Sequence, residues 1–91
     1  MTTKQEELFL SEDSRYLEKF FPNSTTVFKA KYDTVRMVLL IEYTTGEIYE
    51  YNGIPRIYVD DFYSATSPGK YINSFLKKLK TNYRKVNEFY I

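Results

Sequence analysis

The side chains able to do chemistry in this 91-residue chain are carboxylates, phenols and ammonium groups, because it has no histidine and no cysteine. Those two absences take away the usual zinc ligands, the usual base at neutral pH, and thiolate or disulfide chemistry. Asp60 and Asp61 are adjacent, but neighbours on a helix point about 100° apart and do not converge on a metal or a substrate. Glu42, Glu47 and Glu50 fall at strand positions, and nothing in their spacing builds a hydrolytic carboxylate pair. Ser67-Pro68-Gly69-Lys70 opens a helix and would let an anion rest on free N–H groups, yet it has one Gly and no preceding strand. Helix capping explains it. No catalytic residue, no metal and no cofactor is expected.

What remains is a basic cluster interleaved with rings. Lys70, Lys77, Lys78, Lys80, Arg84 and Lys85 crowd the end of the chain beside Tyr71 and Tyr83. Residues 1–67 hold seven Lys/Arg and eleven Asp/Glu, a net −4, whereas residues 68–91 hold six and one, a net +5. Lysines that track phosphates beside rings that stack on bases are the physics of single-strand binding platforms. The plain alternative is a solvated helix flank whose cations suit the negative end of the dipole. These eight residues are the nucleic-acid-binding candidates. Tyr49 and Tyr51 are a second pair of rings, assigned to the core by the strand register below.

The elements follow from the pattern around Val35 to Pro55. Arg36 to Tyr43 alternates, as does Glu47 to Tyr51, and Thr44-Thr45-Gly46 between them suits a three-residue hairpin loop ending on a left-handed glycine. That loop sets Tyr43 against Glu47, Ile41 against Tyr49 and Leu39 against Tyr51, aromatic against branched aliphatic. A two-residue loop would split the apolar set between faces. Thr26 to Tyr32 is an earlier strand, with Phe28, Ala30 and Tyr32 on one side, and Asp33-Thr34 turns it into the next. Residues 1–24 read as a helical extension: Ser11 caps it, Glu12 and Asp13 fill its first turn, and Tyr16, Leu17, Phe20 and Phe21 repeat at helical spacing until Pro22. After the hairpin, Pro55 opens a short helix to Ala65 with Tyr58 and Phe62 inward. A second helix follows Ser67-Pro68, burying Tyr71, Ile72, Phe75, Leu76 and Leu79. Tyr83 to Ile91 continues that helix or turns back, and Phe89-Tyr90-Ile91 is too apolar for a free tail. The expected fold is α+β: an N-terminal helix, a three-stranded antiparallel meander, then two helices packed on one face.

Tyr49-Glu50-Tyr51, Gly53-Ile54-Pro55, and then Ala65, Ser67, Gly69, Tyr71 and Asn73 resemble the KTSC domain, the small module at the C-terminus of some lysyl-tRNA synthetases that also occurs as a stand-alone bacterial or phage protein. The resemblance spans Thr25 to Tyr83. It implies a single globular unit over residues 25–91 behind the extension, with Tyr49, Tyr51, Gly53, Pro55, Ala65, Ser67, Gly69 and Asn73 as its structural motif. It also implies an RNA-binding role. The acidic front segment and the pair Asp60-Asp61 depart from the family pattern.

The expected function is therefore a non-enzymatic binding module that takes RNA through its basic C-terminal helix. The alternative is a phage or mobile-element protein-interaction module, an inhibitor of a host defence enzyme of the anti-CRISPR type, since aromatic anchors dominate protein interfaces. Self-association through the exposed edge of the meander is a further possible partner mode. No apolar run approaches the ~20 residues needed to span a bilayer, and the polar start is unlike a signal peptide, so a cytoplasmic protein is expected.

Overall fold

A computed structural model describes residues 15–79 and 82–91 of the chain. Its frame is one antiparallel sheet of five strands in sequential order: β1 (Tyr16–Phe20), β2 (Val27–Asp33), β3 (Val38–Tyr43), β4 (Ile48–Asn52) and β5 (Tyr83–Val86). Between β4 and β5 the chain makes helix α1 (Arg56–Ser64), helix α2 (Pro68–Ser74) and a 3₁₀ turn (Leu76–Leu79). Leu39↔Tyr51 and Ile41↔Tyr49 are cross-strand pairs, as the hairpin loop dictates, and Gly46 in that loop has φ +94°.

One face of the sheet carries the core. Ala30 and Tyr32 on β2, Leu39 and Ile41 on β3, and Tyr51 on β4 are buried together with Val59 and Phe62 of α1, Ile72 of α2 and Leu76 of the 3₁₀ turn. The Tyr32 hydroxyl, buried among them, donates to the carbonyl of Ile54, which satisfies a donor that would otherwise be costly to enclose. Gly69 has a steric reason beyond the turn: a Cβ there would meet the Thr26 side chain at 3.0–3.2 Å, so α2 approaches the start of β2 only without one.

Three expectations are corrected. Over the described residues the predicted N-terminal helix is replaced by a strand: Tyr16–Phe20 pairs to β2, with Leu17 opposite Tyr32 and Phe20 opposite Lys29, while Ser11, Glu12 and Asp13 lie outside the described residues. Leu17 and Phe21 are four apart, so they share a helix stripe and equally an inward strand row, and over five residues the two periods cannot be separated. Pairing with β2 decides it. The three-stranded meander is a five-stranded sheet, because the basic stretch from Tyr83 returns as β5 along β4. The long second helix stops at Ser74: Phe75 has φ −124°, the backbone tightens to a 3₁₀ turn, and Phe75 faces water rather than the core. Smaller shifts accompany these. A bulge between Val27 and Lys29 turns Val27 inward and leaves Phe28 outside, the reverse of simple alternation. Val59 rather than Tyr58 is the buried partner of Phe62 on α1, and Ser67 caps α2 without a side-chain hydrogen bond.

Candidate functional site

Four tyrosines converge at the end of the sheet where the β3–β4 loop, the start of β2 and the 3₁₀ turn meet. Tyr43 and Tyr49 come from the hairpin arms, Tyr51 from the core row of β4, and Tyr83 from β5 directly opposite it. The Tyr51 and Tyr83 rings stack with centroids 5.6 Å apart and planes 28° from parallel. Tyr49 leans against Tyr83 at 6.3 Å and meets Tyr43 edge-on at 5.8 Å. Together with Thr25, Thr26, Thr44, Thr45, Glu47 and Lys77 they line a cleft of about 500 Å³.

The floor of the cleft is polar but neutral. The Tyr43 and Tyr51 hydroxyls share a hydrogen bond of 2.7 Å. Burial pushes both phenols above the ordinary value, and for Tyr43 the shared bond adds to it. At neutral pH they are therefore hydrogen-bonding phenols rather than phenolate bases. The mouth is charged: Lys85 Nζ lies 3.4 Å from Glu47 Oε2, and Lys77 forms part of the wall. Tyr83, 51% exposed, offers a ring face to whatever enters. The cleft thus offers a stacking surface, threonine hydroxyls, the Lys77 ammonium and the Lys85–Glu47 ion pair.

The residues singled out in the sequence do not form one surface. Tyr49, Tyr51, Lys77 and Tyr83 line the cleft, and Lys85 reaches its mouth through Glu47. Arg84 does not: it alternates to the opposite face and binds Glu50 at 3.1 Å. Tyr71 packs on Phe62 and Phe75 along α2, where Lys70 also sits, away from the cleft. Lys78 is an exposed position of the 3₁₀ turn, and Lys80 lies outside the described residues. The cluster looked continuous because one long helix was expected to carry it. Tyr43, Thr25, Thr26, Thr44, Thr45 and Glu47 went unnoticed as cleft residues. The Tyr43 signal was present, since the hairpin register sets it beside Tyr49 on the same end. The threonines gave none, because β2 and the hairpin loop meet only in three dimensions.

Two negative observations bound the chemistry. Among the described residues no group of three Asp/Glu side chains is placed to hold a metal ion. No helix among them is long and apolar enough to cross a membrane.

Comparison with known proteins agrees with this fold. The KTSC domain family matches residues 23–83, which takes in β2, the tyrosine hairpin, both helices and the first residue of β5. A crystal structure of a KTSC domain protein from Yersinia pestis is similar to the chain, with a TM-score of 0.70 and 25% identity, covering 78% of this chain and 97% of that one. No protein of curated function matches the sequence.

Proposed function

The chain belongs to the KTSC domain family, and from that premise we propose that it is a non-enzymatic module that binds single-stranded RNA at the tyrosine cleft. The observation that carries this is the half-exposed Tyr83 ring, stacked on Tyr51 and standing beside Lys77 in one cleft. An unpaired base stacks on Tyr83, and its phosphates run past Lys77 and Lys85. The threonine hydroxyls at the mouth are suited to a ribose 2′-hydroxyl, the group that distinguishes RNA from DNA. The neutral floor accepts the exocyclic groups of a base without selecting strongly among them, so modest sequence preference is expected. The basic C-terminal third contributes through Lys77 in the wall and through Lys85, shared with Glu47 at the mouth, and not through Arg84, which pairs with Glu50 on the opposite face.

Fluorescence anisotropy with labelled octauridine tests this reading. Tyr83→Ala removes one stacking platform and should weaken binding about tenfold, within the 1–3 kcal/mol typical of a base–aromatic stack. Lys77→Glu with Lys85→Glu should flatten the log–log salt dependence by roughly 0.7 per lost phosphate contact. An octauridine affinity unchanged in Tyr83→Ala would remove the cleft from consideration.

A further inference from the structure

Lys19 on β1 is tied by register to the mouth of the cleft, although β2 and β3 lie between them. Lys85 stands opposite Tyr49, Tyr49 opposite Ile41, Ile41 opposite Ala30, and Ala30 opposite Lys19. Directly opposed residues share a face, so Lys19 and Lys85 are the two ends of one cross-strand row on the side that carries the helices. Four strand spacings set their strands about 19 Å apart. Ala30 and Ile41, in the middle of the row, are sealed in the core, so a ligand reaches both lysines only around the end of the sheet. At that end the β1–β2 loop and the β3–β4 loop lie side by side, joined by the Thr44 N–H, which donates to the Thr26 carbonyl at 2.9 Å.

A second cavity, of about 200 Å³, opens there, with Lys19, Asn23, Ser24, Thr66 and Pro68 in its wall. Among its described lining residues Lys19 carries the only charge. Asn23 and Ser24 run directly into Thr25 and Thr26 of the cleft wall, and four residues span no more than about 14 Å. This ridge between the two cavities is fixed, because Ser24 Oγ accepts the N–H groups of Thr26 at 3.1 Å and Val27 at 3.0 Å. Lys19 Nζ lies over the Phe21 ring, 5.6 Å from its centroid, and that ring is only 7% exposed. Phe20 turns its ring to Phe28 on the other face of the sheet. The cavity therefore offers a cation, an amide and hydroxyls but no open ring, which suits a phosphate and its sugar rather than a base. Resting on the RNA reading of the cleft, we propose that this cavity is a second subsite, holding the ribose-phosphate of a nucleotide further along the same strand. The strand stacks a base on Tyr83, crosses Thr25 and Thr26, and sets a phosphate on Lys19. The protein on this account takes oligonucleotides in preference to single nucleotides.

Octauridine and uridine monophosphate, titrated into the full-length ¹⁵N-labelled chain, test this. Octauridine should shift the amides of Asn23, Ser24 and Thr66 together with those of the cleft, whereas uridine monophosphate should shift those of the cleft alone. By anisotropy, Lys19→Gln should weaken octauridine binding severalfold and flatten its log–log salt dependence by roughly 0.7, one phosphate contact on a single strand. Lys31→Gln removes the same charge from the opposite face, beside Tyr16, and should leave that slope unchanged. Equal effects of the two substitutions would overturn the subsite. So would a response of Asn23, Ser24 and Thr66 to uridine monophosphate, or to an octaglutamate peptide, as large as that to octauridine. A loss of affinity with Tyr83→Ala but not with Lys19→Gln would sink the subsite alone. A loss with Lys19→Gln but not with Tyr83→Ala would sink the cleft reading and the shared strand with it.

Discussion

Asp33 shows how much one side chain can hold. It is fully enclosed at the end of β2, and its carboxylate accepts two hydrogen bonds from Arg15 at 3.0 Å each. The same carboxylate accepts the backbone N–H groups of Val35 and Arg36, which closes the turn into β3. The Arg15 bonds hold its pKa down to about 2 against the upward push of burial, with the two backbone donors assisting. A folded-state pKa below the unfolded one means the stabilisation is complete above about pH 4. It is lost as the pH falls through about 2. Circular dichroism against pH should therefore show the wild type losing stability across that window, and Asp33→Asn should lack this part of the acid dependence. At pH 7 that variant should be destabilised by about 1–2 kcal/mol in urea, since an amide cannot reproduce the charge-assisted bonds of the enclosed carboxylate to Arg15. Asp33 was readable in the sequence as a turn residue. Its partner was not, because Arg15 had been placed within a helix.

Among the elements, α2 and the start of β2 are held together by an absence. A methyl group on Gly69 would press on three atoms of the Thr26 side chain, so Gly69→Ala is expected to cost about 1–2 kcal/mol through overpacking. Thr26→Ala removes two of those atoms and should restore part of the loss, and a double-mutant cycle by chemical denaturation measures the coupling. Additive losses would mean that the two elements do not press on each other. The hairpin was legible in full, since loop length and alternation leave one register that keeps Leu39, Ile41 and Tyr51 together. The β2 pattern was not, because the bulge at Phe28 breaks the alternation on which a strand reading depends. β1 and β5 were missed for a related reason: both are short edge strands, stabilised by a neighbour that is distant in sequence.

Over the whole molecule, the end of the chain closes the face that the helices leave bare. Leu40 and Val38 on that face are buried. Lys29 Nζ on β2 sits 4.4 Å from the Phe89 ring, and the Tyr90 hydroxyl donates to Glu50 on β4, so residues 89 and 90 reach the two strands that flank β3. Burial raises the Glu50 pKa, but hydrogen bonds from Asn52, Tyr90 and Arg84 outweigh it and hold the carboxylate below its usual value. Deleting residues 87–91 should uncover Leu40, lower the melting temperature by several degrees and raise binding of a hydrophobic dye; an unchanged melting curve would show that the tail does not seal this face. The apolar tail was evident from Phe89-Tyr90-Ile91, although not where it lands. Local chemistry alone specified an α+β chain without histidine or cysteine, the Leu39–Tyr51 register, the two helix starts near Pro55 and Pro68, and the KTSC motif. Those features depend on neighbours a few residues apart. The five-strand count, the split of the basic cluster and the tyrosine cleft were decided by folding, because pairing of β1 with β2 and β5 with β4 joins residues whose side chains carry no mutual mark in the sequence.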